Sequence, residues 1–263
     1  MISKKFWNGK SVFITGGSNG IGRAMAMSAA AVGARVGLIA RSEPSLNGVM
    51  ADIRSAGGIV EKVSCDVTDL QALHLAVQEL EQHLGPVDVA IACAGIHRVT
   101  WPLDAQRSHD VMDVNVNGTV NFFSAVMPGM LKRRSGYLCG VASLASLVGL
   151  KKNAAYAASK AAVVMFLESL RIDCRRHGIS VTTACPGYVD TRMITPEERA
   201  SGIAIPADQA AAKILDAIEK KHPEVWFPRW TAFQAGLLRL LPPWLRDAVV
   251  TRLPPMEEAP LSE

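Results

Sequence analysis

The chain has little of what a metal, a disulfide framework or a nucleic acid would require. Five cysteines, Cys65, Cys93, Cys139, Cys174 and Cys185, are spread over 263 residues. They form no CxxC pair, no His or Cys pair stands at ligand spacing, and their odd number does not suit a disulfide framework. No metal site is expected. Four of the five fall within or at the end of apolar, strand-like runs, as buried reduced thiols of a cytoplasmic protein do. No long run of like charge occurs and the formal net charge is only +4, so nothing argues for nucleic acid as a partner. The opening "MISKKFWNGKSV" lacks the apolar stretch of a secretory leader, and no uncharged apolar run reaches the length of a bilayer span. The expected location is the cytoplasm. With 49% apolar and 20% charged residues, the composition excludes a disordered chain and allows a substantial core.

What is present is a regular alternation. Short β-branched runs at 11–15, 35–40, 60–65, 87–92, 136–142, 180–185 and 224–227 are separated by helical patterns near 20–32, 44–57, 69–84, 106–134, 154–177 and 206–221. Strand followed by helix, repeated, implies parallel pairing through right-handed crossovers. The strands lack clean polar alternation, as expected where helices cover both faces. The sequence therefore predicts a doubly wound α/β architecture, a Rossmann-like, mostly parallel seven-stranded sheet. Ligands of such sheets sit beyond the carboxyl ends of the strands, where strand order reverses.

Two short stretches stand at those ends. "TGGSNGIG", Thr15–Gly22, follows the first strand, and its glycines at 16, 20 and 22 permit a tight turn and close approach of backbone to ligand. The turn also opens a helix whose first amides and dipole attract phosphate. In "AYAASKAA", Tyr156 and Lys160 stand four residues apart, on one face of a helix, with small residues leaving room beside them. A packed ring under a surface lysine would use the same spacing.

The Gly-x-x-x-Gly-x-Gly spacing with Tyr-x-x-x-Lys downstream resembles the single-domain short-chain dehydrogenase/reductase family. The resemblance extends over residues 8 to about 228 and includes "CAG" (93–95), "NVNG" (115–118), Ser143 thirteen positions before Tyr156, and "PGYVDT" (186–191). It implies hydride transfer between a nicotinamide and a carbonyl or alcohol carbon. Tyr156 would be the general acid or base, its pKa lowered by Lys160, and Ser143 would bond the substrate oxygen, with Ser146 as a competitor. Asn115 would interrupt the long helix and hold a proton-relaying water, with Asn117 as the alternative. The implied cofactor contacts are Gly16, Ser18, Asn19, Gly20, Ile21 and Gly22 in the first turn, then Arg41, Asp66, Val67, Ala94 and Gly95. Tyr156, Lys160, Pro186, Gly187, Val189 and Thr191 complete them. Ala92 and Cys93 stand where the family usually has two asparagines, which removes bonds between neighbouring strands.

The second strand ends "LIAR", with Ala40 where an NAD enzyme would carry a carboxylate and Arg41 beside it. NADP is the expected cofactor, held by Arg41, with Arg23 as a weaker candidate. On this reading residues 1–228 form the catalytic domain, with a substrate lid and the following helix at 192–222, and 229–263 form an amphipathic helical extension. That extension mixes Trp230, Phe233, Leu237, Leu240, Leu241, Trp244 and Leu245 with Arg229, Arg239, Arg246 and Arg252. Such a segment suits peripheral membrane contact, a cap over the active site or a dimer partner, and the sequence leaves these open. The final "EEAPLSE" is expected to fray. The apolar tail suggests a hydrophobic small-molecule carbonyl or alcohol, a lipid-like or steroid-like ketone. His97 and Trp101 are candidates to line its pocket. By resemblance, the helices at 106–134 and 154–177 would join a homodimer or homotetramer. The alternative is a non-catalytic dinucleotide-binding or membrane-peripheral interaction protein.

Overall fold

A computed structural model of the protein describes residues 2–200, 202–253 and 255–258. Nine strands and eleven α-helices are found among them. The strands are β1 Ser11–Thr15, β2 Arg35–Ala40, β3 Ile59–Ser64, β4 Val89–Ala92, β5 Gly136–Val141, β6 Ile179–Pro186, β7 Val189–Asp190, β8 Ile205–Pro206 and β9 Glu224–Phe227. The helices are α1 Lys4–Trp7, α2 Gly20–Ala31, α3 Glu43–Ser55, α4 Leu70–Leu84, α5 Ala105–Met112, α6 Gly118–Arg133, α7 Ala154–Cys174, α8 Pro196–Ala200, α9 Ala207–Glu219, α10 Arg229–Leu240 and α11 Pro243–Arg252.

Seven strands form one sheet in the order β3-β2-β1-β4-β5-β6-β9, every neighbouring pair parallel. The order reverses between β1 and β4, which puts the switch point at the ends of those two strands. All five residues of β1 are buried, because helices cover both faces. Two apolar clusters make up those faces. One packs Met25, Ala26, Ile214 and Leu215 onto the sheet, the other Leu73, Leu80, Phe122 and Leu167. The alanine-rich α2 presents Ala26, Ala29 and Ala30 inward, small enough for the helix to lie close to the strands.

The seven sheet strands fall where the sequence places them. The helix expected at 106–134 is interrupted at Asn115, as the resemblance implied: Asp113–Asn117 form a π-helical turn between α5 and α6. β7 and β8 pair with each other outside the main sheet. They flank the short α8, which lies with β8 in the segment expected as a lid, while β7 precedes it. The extension forms two helices, α10 and α11, neither of which buries a residue fully.

Candidate active site

The glycine turn is shaped by backbone contact. Gly16 has φ +68° and a Cβ there would meet the Ala94 amide nitrogen at 2.8 Å; at Gly22 it would meet the Gly16 carbonyl oxygen at 2.2 Å. Neither position admits a side chain. Gly20, φ +51°, faces Thr191 in the same way, its hypothetical Cβ 2.9 Å from the Thr191 methyl. The turn after β1, the "CAG" after β4 and the "PGYVDT" loop after β6 therefore converge. Between the glycine turn and that last loop runs a groove of about 630 Å³, whose lining includes Asn19, Gly20, Arg23, Asp190, Thr191 and Arg192.

The first helix at this groove has an open end. Ser42, Asp69 and Asp104 cap α3, α4 and α5 through their side chains, whereas Asn19 at the start of α2 makes no such bond. Its side chain donates to the neighbouring Ser18 instead. The first amides of α2 are left for an anionic group, which fits the pyrophosphate of a dinucleotide. Val67 is buried against Gly118, where a Cβ would come within 2.5 Å of it. The asparagines missing at Ala92 and Cys93 are offset by Thr15, whose hydroxyl accepts the Cys93 and Ala94 amides at 3.2 and 3.3 Å. Sequence reading did not single out Thr15 for this role.

Just past the end of β2, Arg41 is two-thirds exposed and faces Asp66 at 3.7 Å. Asp66 also accepts the Thr68 amide and hydroxyl, each at 2.9 Å. Arg23, the weaker candidate, is engaged by Asp52 at 2.7 Å. The nearby Glu43 is neutralised by Lys62. Arg41 is thus the loosely held cation at the end of β2.

The polar cluster lies at the ends of β4 and β5. Ser143 ends its strand run, Tyr156 and Lys160 project from the first two turns of α7, and Asn115 sits in the π-helical turn. Gly95 is where they meet: a Cβ there would be 3.2 Å from Asn115 Oδ1 and 3.3 Å from Lys160 Nζ. Lys160 Nζ donates to the Val141 carbonyl at 3.0 Å and stands 5.8 Å from the centre of the Tyr156 ring. The Asn115 amide is fully engaged, accepting the Ile96 amide and donating to the Ile96 carbonyl and the Ser159 hydroxyl. Asn117 turns aside to Asp113. Ser146 donates to the Ser143 carbonyl, while the Ser143 hydroxyl accepts the Ala145 amide. Ser143 stands near enough to the Tyr156 phenol to favour its ionised form.

Electrostatics here differ from the sequence expectation. Tyr156 is 4% exposed and Lys160 6%. Burial pushes the phenol up to about 12, with the neighbouring Ser143 acting in the opposite direction. Burial also pushes the Lys160 ammonium down to about 8. Lys160 was expected to lower the phenol's pKa; in this state desolvation wins, because both groups lie in the same water-poor pocket. The phenol keeps its proton at neutral pH.

Two more residues join the cluster. His97 is buried rather than a surface loop residue, with its ring edge-on to Tyr156 at 5.0 Å, whereas Trp101 is 68% exposed. Asn153, completely buried at the start of α7, does not cap the helix but bonds His97. An asparagine at a helix start was visible in "KKNAAY", but only the fold brings it to His97. The expectation that "EEAPLSE" frays is overturned for Glu257 and Glu258, which pair with Lys152 and with Arg98 and Arg107. Residues 259–263 lie outside the described residues. Among the described residues no group of acidic, His and Cys side chains could hold a metal, and no helix is long and apolar enough to cross a membrane.

The chain is similar to several known proteins. An uncharacterized oxidoreductase of Myxococcus xanthus is 34% identical over 250 residues, 93% of this chain and 97% of the relative. A fatty acyl-CoA reductase of Acinetobacter baylyi is 34% identical over 219 residues, 81% of this chain and 74% of that protein. The crystal structure of gox2181 superimposes with a TM-score of 0.78 at 26% identity, covering 85% of this chain and 96% of that one. The family model for short chain dehydrogenases matches residues 10–201, so the glycine turn, the π-helical turn and the Tyr156–Lys160 pair all lie within its span, and the chain belongs to that family of nicotinamide-dependent oxidoreductases.

Proposed function

We propose that the protein is an NADPH-dependent reductase of a hydrophobic carbonyl compound, a lipid-like or steroid-like ketone, with Tyr156 as the proton donor. The observation that carries this reading is the joint placement of half-buried Ser143 with buried Tyr156 and Lys160 at the strand ends, beside a turn whose Gly16 and Gly22 leave no room for a Cβ. The bound nicotinamide would supply the hydride; the chain supplies position and the proton. Gly16 to Gly22 and the open end of α2 would hold the pyrophosphate. Pro186, Gly187, Val189 and Thr191 would border the nicotinamide end. Lys160 would bond the ribose, and Asp66 the adenine amine. Ser143 would hold the substrate oxygen, and the Tyr156 hydroxyl would give its proton to that oxygen as the carbonyl is reduced. The Tyr156 phenol carries its proton at neutral pH, as donation to the substrate oxygen requires.

The choice of NADP rests on Arg41, two-thirds exposed and 3.7 Å from Asp66, after a strand that ends in Ala40 rather than in a carboxylate. The fatty acyl-CoA reductase relative supports a lipid-like substrate. Met165 and Ile172, exposed two turns apart on α7, support a two-fold dimer through α6 and α7. Trp230, Phe233, Leu237 and Leu240 form an exposed stripe on α10 with Arg229 and Arg239 nearby, which supports peripheral contact with an anionic lipid surface. The test is consumption of NADPH and of NADH against a panel of ketones. Turnover with NADPH and not NADH supports the reading, and no turnover of any ketone with either cofactor overturns it.

A further inference from the structure

After α11 the chain returns to the site it leaves at β9. The Met256 carbonyl accepts a hydrogen bond from Asn153 Nδ2 at 2.8 Å, and the Met256 side chain packs against the apolar cluster of Val111, Ala145, Ala155 and Tyr156. Two residues on, the Glu258 carboxylate takes three donors. Oε1 accepts Arg98 Nη1 at 3.0 Å, and Oε2 accepts the Val99 amide at 3.1 Å and Arg107 Nη1 at 2.8 Å. Lys152 faces Glu257 at 3.7 Å. A single exposed ion pair would hold little. This carboxylate is only 21% exposed and is bonded from two separate elements, the loop after β4 and helix α5. Burial raises its pKa, but the Val99 amide and the two guanidiniums outweigh that and hold the carboxyl below its ordinary value. It is therefore ionised at neutral pH.

The residues behind this strap are built for something polar. Asn153 Nδ2 donates to the carbonyls of Lys151 and Met256, so its Oδ1 faces His97 and His97 Nε2 must be the donor. His97 Nδ1 is then a buried acceptor with no donor among the described residues. An apolar ring would fill the same place without that cost, so the acceptor points to a group that arrives when the site is in use.

We propose that residues 255–258 are the outer wall of the substrate pocket, clasped shut by Glu258 on Arg98 and Arg107, and that Met256 and the clasp decide which carbonyl compounds reach Tyr156. The proposal rests on the role given to Tyr156 above. Opening the clasp uncovers Tyr156 and His97 together, since Met256 packs on the cluster that holds Tyr156 and is joined to His97 through Asn153. Bulky substrates then need the strap displaced, while small ones fit behind it.

The full chain is assayed with NADPH and two ketones, cyclopentanone and cyclododecanone, as wild type, Glu258→Ala and Met256→Ala. Glu258→Ala opens the clasp; Met256→Ala thins the wall and leaves the clasp intact. The ratio of kcat/KM for the large ketone to that for the small one should rise about fivefold or more in both variants, with NADPH affinity unchanged. In parallel, diethyl pyrocarbonate modification is mapped by peptide mass. His97 should react about fivefold faster in Glu258→Ala than in wild type, while the exposed His83 and His109 react equally in both. An unchanged ratio in both variants overturns the proposal, whether or not labelling rises. If wild type turns over neither ketone, the reductase reading is what fails. The labelling then decides the clasp alone, and an unchanged His97 rate overturns it.

Discussion

The cofactor side and the substrate side of this molecule are built by different means. On the cofactor side, main chain meets main chain. Gly16 lies against Ala94, Gly22 against Gly16, and the Thr15 hydroxyl holds two amides of the next strand end. Every one of these segments follows directly from a strand of one rigid sheet. On the substrate side, side chains hold segments far apart in sequence. Arg239 reaches the Leu147 carbonyl, Asn153 reaches Met256, and Glu258 reaches Arg98 and Arg107. The helices between them bury nothing fully. Backbone packing tolerates no substitution and little motion. Side-chain fastening on a surface can be altered one bond at a time, so this half is where relatives of one fold can come to differ in substrate.

The comparison breaks first at Tyr156, which belongs to both halves. Tyr156→Phe keeps the ring and removes the transferable proton. Turnover should fall by roughly 100-fold or more while cofactor titration stays unchanged. Near-normal turnover would mean the cluster at the strand ends is not the reacting one.

Lys160 tests the cost of burying charge where the halves meet. Its folded pKa, about 8, lies below the ordinary 10.5. Between those values the unfolded chain binds more protons than the folded one, so stability rises with pH across that window and is lost as pH falls through it. Tyr156 acts the other way between 10.0 and about 12, which confines the clear signal to the lower part of the range. Denaturant unfolding should show wild type gaining stability relative to Lys160→Met as pH rises, up to roughly 3 kcal/mol if Lys160 acted alone. A pH-independent difference would place the ammonium in water.

Arg41→Ala sharpens the cofactor side. Without the guanidinium, NADPH should bind about tenfold more weakly, roughly 1.4 kcal/mol, with NADH nearly unaffected. Equal losses for both would show that Arg41 does not read the extra phosphate.

The smallest effect on the fold is expected from the largest deletion. Cutting the chain after Pro228 removes helices that bury no residue fully, so the melting temperature should fall by only about 2–4 °C per kcal/mol lost, with NADPH affinity intact. The ratio of kcat/KM for a large ketone to that for a small one should rise, as in the clasp variants, because the strap at 255–258 goes with the tail. A truncated chain that fails to fold would make the tail part of the core.

The sequence by itself determined the sheet, the glycine turn and the spacing of Ser143, Tyr156 and Lys160. These depend on local signals: β-branched runs, glycines where no Cβ fits, and a Tyr and a Lys one helical turn apart. Each is set within a few residues, and parallel topology carries them to one edge. Only the tertiary structure decided the rest. The resemblance implied a break at Asn115, but that the break is a π-helical turn aiming Asn115 at Ile96 and Ser159 is set by the packing around it. The raised phenol depends on how completely the pocket is dried, a sum over surroundings no motif contains. Glu258 and Arg98 stand 160 positions apart, joined by no period or spacing. A contact between distant surface segments has no local cause, so it becomes legible only once the chain is folded.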